Sequence, residues 1–325
     1  MMSPLPVLVP LLALVALSLV LVLSVAFGGP KSPPPMASIN DPFKSIDFSD
    51  LPRVSGYPAD DGQQLAYREY VPTGAMRGSV TLIHGSSASS NSLHPLAKGL
   101  AAAGYKVYAI DVRGHGQSGS KGHIDYIGQL EADLAAFIRF VRPPSPSTLA
   151  GFSAGGGFVL RFAGSSHAAA FGSYLALSPF LSQDAPNQRP GSGGWANVGV
   201  PRIVALSILN AVGIRAFNAL PVTSFALNER ARSFLTPQYD FNLATNFRPE
   251  REYMANLQRV SKPVAALVGA SDEAFFADKL EEVFRAAGKN WEVEVLPNIG
   301  HIPLTLEPVA IEAVVRRVVR LQHAA

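Results

Sequence analysis

The sequence predicts an α/β protein: a mostly parallel central sheet with helices on both faces and an inserted helical cap. Three observations carry that prediction. Short apolar runs of strand length alternate with runs of helical period along most of the chain. The alternation stops after Phe180 and resumes at Pro263, which marks an insertion. Hydrophobic residues make up 48% of the 325, enough to cover both faces of such a sheet.

In chain order, strands are expected over 64–71 and 79–84 (SVTLIH), a helix over 93–103 and a strand over 106–112 (KVYAIDV). Apolar residues from Ile127 through Leu130, Leu134, Phe137 and Ile138 to Val141 recur at helical spacing. Strand 148–152, helix 154–162 and strand 171–177 follow. After the insertion come strand 263–268, helix 276–287, strand 291–296 and helix 308–321. Within the insertion, 185–194 is rich in Gly, Pro and Ser, and Pro201 opens a helix to about Ile214. That helix is apolar nearly all round, so it needs cover from protein, lipid or ligand. A cap over the C-terminal ends of the strands, where open α/β sheets bind ligands, fits it.

Leu11 to Phe27 carry no charge and are mostly Leu, Val and Ala, close to the length that spans a bilayer. The run is longer than a signal-peptide core and has no basic residue before it, which favours an uncleaved membrane anchor. Export after cleavage before Phe27 is the alternative, since Ser24 and Ala26 suit signal peptidase. The expected division is therefore 1–27 hydrophobic anchor or signal, 28–41 Pro/Gly-rich linker, 42–180 first part of the core, 181–262 cap, and 263–325 second part of the core.

Charged residues are 16% of the chain and the formal net charge is +3. Lys and Arg are scattered, so no basic patch argues for nucleic acid. With no cysteine there is no disulfide, thiol nucleophile or zinc–thiolate site. No histidine spacing resembles a metal site, and neither metal nor cofactor is expected. Gly114-x-Gly116-x-x-Gly119 fits a dinucleotide fingerprint in letters only, because no apolar helix follows it.

The chemistry centres on Gly151-Phe152-Ser153-Ala154-Gly155, a G-x-S-x-G run between a strand and a helix. Small neighbours suit a tight turn that lifts a serine hydroxyl clear of the backbone. A serine needs a base, an acid to orient the base, and fixed donors for the oxyanion. His301, in the loop after the last strand, is the candidate base. Asp272, just past strand 263–268, is the candidate acid, with Glu273 as its competitor. The amides of Ala154 and Ser86 are the candidate oxyanion donors. Asp111, at a strand end near Arg113, reads as a structural hydrogen-bonding residue.

Together GFSAG, His84-Gly85, the run Asp111 to Gly119 (DVRGHGQSG), the acid loop and the histidine loop resemble the α/β-hydrolases of the serine aminopeptidase S33 type. This group includes monoacylglycerol lipases and lysophospholipases, and the resemblance covers about residues 65–321. It implies an α/β-hydrolase fold and a Ser153–Asp272–His301 triad acting on an ester or amide. The expected activity is serine hydrolysis of a carboxylic ester with a lipophilic part, with a small ester or lipid as substrate. A proline-aminopeptidase-like enzyme is the runner-up; it would want acids gathered in the cap, whereas Asp184, Glu229, Asp240, Glu250 and Glu252 are dispersed. A binding protein that kept the fold without turnover is the third reading.

Overall fold

The computed structural model describes residues 5–324, with the side chains of 5–10, Asn40 and Ser192 outside the description. Strands β1 (Val54–Pro58), β2 (Gln64–Tyr70), β3 (Gly78–Ile83), β4 (Tyr105–Ile110), β5 (Ser147–Phe152) and β6 (Ser173–Leu177) precede the insertion. Within it lie β7 (Ala196–Val198), β8 (Pro221–Phe225) and β9 (Gln238–Asp240). Two more, β10 (Val264–Gly269) and β11 (Glu292–Leu296), follow.

Eight of these make one sheet in the order β1-β2-β4-β3-β5-β6-β10-β11. β1 and β2 run antiparallel to their neighbours, and every pair from β4 to β11 is parallel. This is the α/β-hydrolase fold. The central strands β3, β5, β6 and β10 are buried at every position, as strands covered on both faces must be. One apolar cluster, with Phe137, Phe158, Phe162 and Tyr174, fills one side of the sheet. The other, with Leu96, Leu100, Val314 and Val318, fills the opposite side.

The parallel register puts the C-terminal ends of β3, β5, β10 and β11 on one edge. The order also reverses there: β3 has β4 on one side and β5 on the other, so their connections leave on opposite faces and open a crevice.

The insertion differs from an all-helical cap. β7, β8 and β9 form a separate antiparallel sheet, beside the helices Val200–Ala211, Glu229–Phe234, Phe241–Asn246 and Tyr253–Arg259. Its strands are three to five residues long and carry little alternation, so sequence periodicity did not disclose them. β1 was missed for a similar reason: Gly56 and Pro58 weaken a strand pattern that only pairing with β2 completes.

The helix Leu5–Phe27 packs along Val200–Ala211, with Leu21 and Val25 against a cluster of Leu206, Leu209, Val222 and Phe241. Buried Arg202 ties the two helices. Its guanidinium donates to the carbonyls of Val25 (2.8 Å), Ala26 (2.9 Å) and Pro221 (2.8 Å), capping carbonyls that a helix end leaves free. Residues beyond the helix continue over the insertion: Lys31 N–H donates to Asn197 Oδ1 (2.7 Å) and Met36 N–H to the Ala226 carbonyl (3.1 Å).

The anchor expected over 1–27 begins in residues outside those described. Among the described residues no helix is long and apolar enough to cross a membrane.

Replacing Arg202 by Met should cost about 1.5–3 kcal/mol, the range for lost hydrogen bonds from a charged donor. Urea unfolding measures the loss, and proteolytic cleavage between residues 28 and 36 should quicken as the helix detaches from the insertion.

Candidate active site

Ser153 occupies the turn between β5 and the helix Ala154–Ala163, at φ 56° and ψ −119°. For a residue with a Cβ this backbone is strained. Three hydrogen bonds hold it: Ser153 N–H donates to the Leu177 carbonyl (2.8 Å), and the Ser153 carbonyl accepts from Gly157 (3.0 Å) and Phe180 (3.0 Å). Gly155 lets the helix start close behind the sheet, since a Cβ there would strike the carbonyls of Ile83 and His84.

Asp272 and His301 come together although they lie in separate loops. Asp272 Oδ2 accepts from His301 Nδ1 at 2.8 Å, and Oδ1 accepts from the amides of Ala274 (2.8 Å) and Phe275 (2.9 Å). Burial works to raise the Asp272 carboxyl, but the facing His301 and these hydrogen bonds outweigh it. The pKa lies below the ordinary carboxylate value. The bond at Nδ1 leaves His301 Nε2 as the free ring nitrogen. Phe152 and Phe275 pack on the ring at 4.6 and 5.2 Å between centroids.

Glu273, the competitor for the acid, has another place. Its Oε2 accepts from the His301 backbone amide (2.9 Å), so it steadies the loop rather than the ring. From the insertion, Arg189 Nε donates to the carbonyls of Asp272 (2.9 Å) and Phe275 (3.2 Å).

Ser153, Ala154, Ser86 and His301 all line one cavity of about 650 Å³. No hydrogen bond joins the Ser153 hydroxyl to His301 among the described residues. Such contacts are commonly long in the absence of substrate. The amides of Ser86 and Ala154 have no protein acceptor among the described residues. The Ser86 hydroxyl accepts from Trp195 Nε1 (2.9 Å).

Asp111 accepts from the amides of Ser90 (2.7 Å) and Gln117 (3.0 Å), a structural part as expected. Arg113 pairs with Asp133 and Asp61. Gly116 has φ 52° and a Cβ there would strike the Asp111 carboxylate, so this glycine serves the loop's own packing.

Sequence reasoning missed the network behind the Gly85–Ser87 loop. His84 Nδ1 donates to the Gly85 carbonyl (2.8 Å) while its Nε2 accepts from Val112 N–H (3.1 Å). Ser87 N–H donates to the Tyr239 hydroxyl (2.6 Å), which donates in turn to His115 Nε2 (2.6 Å). His115 Nδ1 lies 3.3 Å from the carbonyls of Val112 and Arg113. Both imidazoles satisfy their partners as neutral rings, and a second proton on His84 would face the Val112 N–H donor. The sequence hint was His84 and His115 near strand ends, but Tyr239, the partner of His115, lies 124 residues beyond it.

Residues 74–308, well over half of the chain, match the family described as serine aminopeptidase, S33. The chain belongs to that family. A monoacylglycerol lipase from Mycolicibacterium smegmatis is 33% identical over 105 residues, 31% of this chain and 38% of that relative. The match thus spans well under half of the relative's length. A monoacylglycerol lipase structure from Paleococcus ferrophilus superposes with a TM-score of 0.59 at 20% identity, covering 79% of this chain and 98% of that one. A soluble variant of monoglyceride lipase from Saccharomyces cerevisiae, in complex with a substrate analogue, gives 0.60 at 18% identity over 86% and 97%. At such identities these two likenesses establish the fold alone.

Burial lowers the pKa of His84 and pushes that of His115, which also faces His84, well below the ordinary 6.5. Below about pH 6.5 the unfolded chain therefore binds protons that the folded chain refuses, and stability falls as pH drops through that window. The unfolding free energy from urea titration should decline from pH 7.5 to 5.5, by up to about 1.4 kcal/mol per pH unit for each ring, and the urea midpoint with it. A flat midpoint would show that these rings are not held neutral.

Proposed function

We propose that this protein is a serine hydrolase that cleaves a carboxylic ester with a lipophilic part, of the esterase, monoacylglycerol lipase or lysophospholipase kind. One observation carries the reading: Ser153 and the Asp272-bound His301 open on a cavity whose long wall is the apolar helix Val200–Ala211. Ile203, Val204 and Ile208 of that helix line the cavity, with Val222, Phe225 and Phe241 behind them. The helix's apolar circumference is thus shared between the Leu5–Phe27 helix and the site, and the segment 181–262 acts as the cap.

In this reading His301 Nε2 takes the proton of the Ser153 hydroxyl as its oxygen bonds to the ester carbonyl carbon. Asp272, kept ionised, holds the imidazolium that forms. The amides of Ser86 and Ala154 face the developing oxyanion. Collapse breaks the carbon–oxygen bond to the alcohol, which leaves with the proton from His301 and an acyl group on Ser153. Water then adds through the same base, and the carboxylic acid departs as the serine recovers its proton.

The peptidase alternative asks for free carboxylates to receive an amino terminus. Asp240 is engaged by His123 and by the Leu243 amide, and Glu250 by Arg259. Asp184 does line the cavity, but two arginines line it too.

Contact with lipid belongs to the same proposal. The Leu5–Phe27 helix leaves Leu14 and Leu17 60% and 64% exposed, an apolar face beside the cap from which a lipophilic ester could be supplied. The full chain should co-sediment with phosphatidylcholine vesicles, and Leu14→Asp with Leu17→Asp should reduce the bound fraction. Equal binding by both chains would remove this part.

Ser153→Ala should abolish labelling by a fluorophosphonate probe, and Asp272→Asn should lower kcat on a medium-chain nitrophenyl ester by about 10³-fold or more. Labelling that survives Ser153→Ala refutes the assignment. Faster cleavage of proline arylamides than of the ester would favour the peptidase, and inertness to all three reagents the binding protein.

A further inference from the structure

The cavity has an end that ester hydrolysis by itself does not require. Arg248 and Arg251 line it together with Ser153 and His301. Elsewhere Arg113 is matched by Asp133, Arg161 by Glu131 and Arg317 by Glu292 and Glu294, and buried Arg202 is satisfied by three main-chain carbonyls; of the two cavity arginines Arg251 is exposed. Neither Arg248 nor Arg251 has a hydrogen bond or ion pair with any described residue.

Arg248 is half-buried. The charged groups acting on it are Arg161, Asp184 and Arg251, so two of the three are cations. Burial first, then these like charges, lower the pKa of its guanidinium, with Asp184 opposing. Arg161 is already committed to Glu131, and Asp184 is exposed and not ion-paired with either cavity arginine. Holding an unpaired cation out of water beside others of its sign is unfavourable. Inside a binding cavity, such a group marks where a ligand brings the opposite charge.

The position suits that task. The neighbouring Pro249 packs against Gly157, one turn into the helix that begins behind Ser153. This end therefore lies by the nucleophile's helix, whereas the apolar wall is built from Val200–Ala211. A neutral diol at the arginines would leave their charge uncompensated. A phosphate or carboxylate matches the planar fork of a guanidinium with two parallel charge-assisted hydrogen bonds.

We propose that this end of the cavity is an anion subsite, in which Arg248, assisted by Arg251, receives a phosphate or carboxylate carried by the substrate while the apolar wall takes its chain. The proposal rests on the ester-hydrolase reading and narrows its substrate to an anionic amphiphile.

The test compares kcat/KM of the full chain on three esters with one acyl group: 1-dodecanoylglycerol, its 3-phosphate, and the dodecanoyl ester of 3-hydroxypropanoate. At least one anionic ester should exceed the neutral one by about tenfold, and Arg248→Gln should cut that ratio by about tenfold, chiefly through KM. Arg248→Lys should keep part of the preference, and the two anionic arms separate phosphate from carboxylate. Because Arg248 has no side-chain partner among the described residues, Arg248→Gln should leave the thermal midpoint unchanged or raised; a fall would assign it a structural role instead.

A ratio near one, or one that Arg248→Gln does not alter, overturns the subsite and leaves the hydrolase standing. No hydrolysis of any ester and no fluorophosphonate labelling overturns the hydrolase reading. Calorimetric binding of dodecyl phosphate then decides the subsite separately. Affinity weakened about tenfold by Arg248→Gln supports it, and absent or unaltered binding removes it.

Discussion

The turn at Ser153 is the constraint on which the site depends. A non-glycine residue at φ 56° and ψ −119° stores of the order of 1–3 kcal/mol of backbone strain. It persists because the surroundings over-determine it. β6 supplies the acceptor for Ser153 N–H, Phe180 and Gly157 hold its carbonyl, and Gly155 lets the helix sit against the end of β3. Each needs the parallel register of β3, β5 and β6, so the strained turn and the sheet are one arrangement. Its product is a hydroxyl at the sheet's edge, next to an amide with no protein acceptor among the described residues.

Around that point residues of the insertion are part of the site's framework. Tyr239, from β9, closes the hydrogen-bond chain between the Ser87 amide and His115. Thr236 and Ser87 exchange hydrogen bonds through the Thr236 amide and the Ser87 hydroxyl. Arg189 reaches the other way, to the backbone of the acid loop. The loops that carry Ser86 and Asp272 are thus held partly by residues outside the main sheet. Displacement of the insertion would loosen both.

The cavity divides by chemistry. Toward Val200–Ala211 it is apolar and backed by a cluster that the N-terminal helix completes. Toward Arg248 and Arg251 it presents two guanidiniums with no side-chain hydrogen bond or ion pair among the described residues, in a lining that also includes Asp184 and Glu273. In the proposed reading an amphiphile would satisfy both ends, its chain against the apolar wall and its anion at the arginines.

The sequence by itself determined the alternation that makes a parallel sheet, the break in it that marks an insertion, and the candidate serine, acid and base. These lie in local signals: apolar runs of two distinct periods, small residues flanking Ser153, and loops directly after strands. Tertiary structure decided what local signals do not encode. Asp272 rather than Glu273 faces the His301 ring, because the loop sends one carboxylate to the side chain and the next to the backbone amide. The three short strands of the insertion exist through pairing with one another. Arg248 stands out by lining the cavity half-buried with no side-chain partner among the described residues, a combination that no sequence pattern displays. Pairing, burial and the absence of a counter-charge join residues far apart in the chain, so they become physical facts only once the chain has folded.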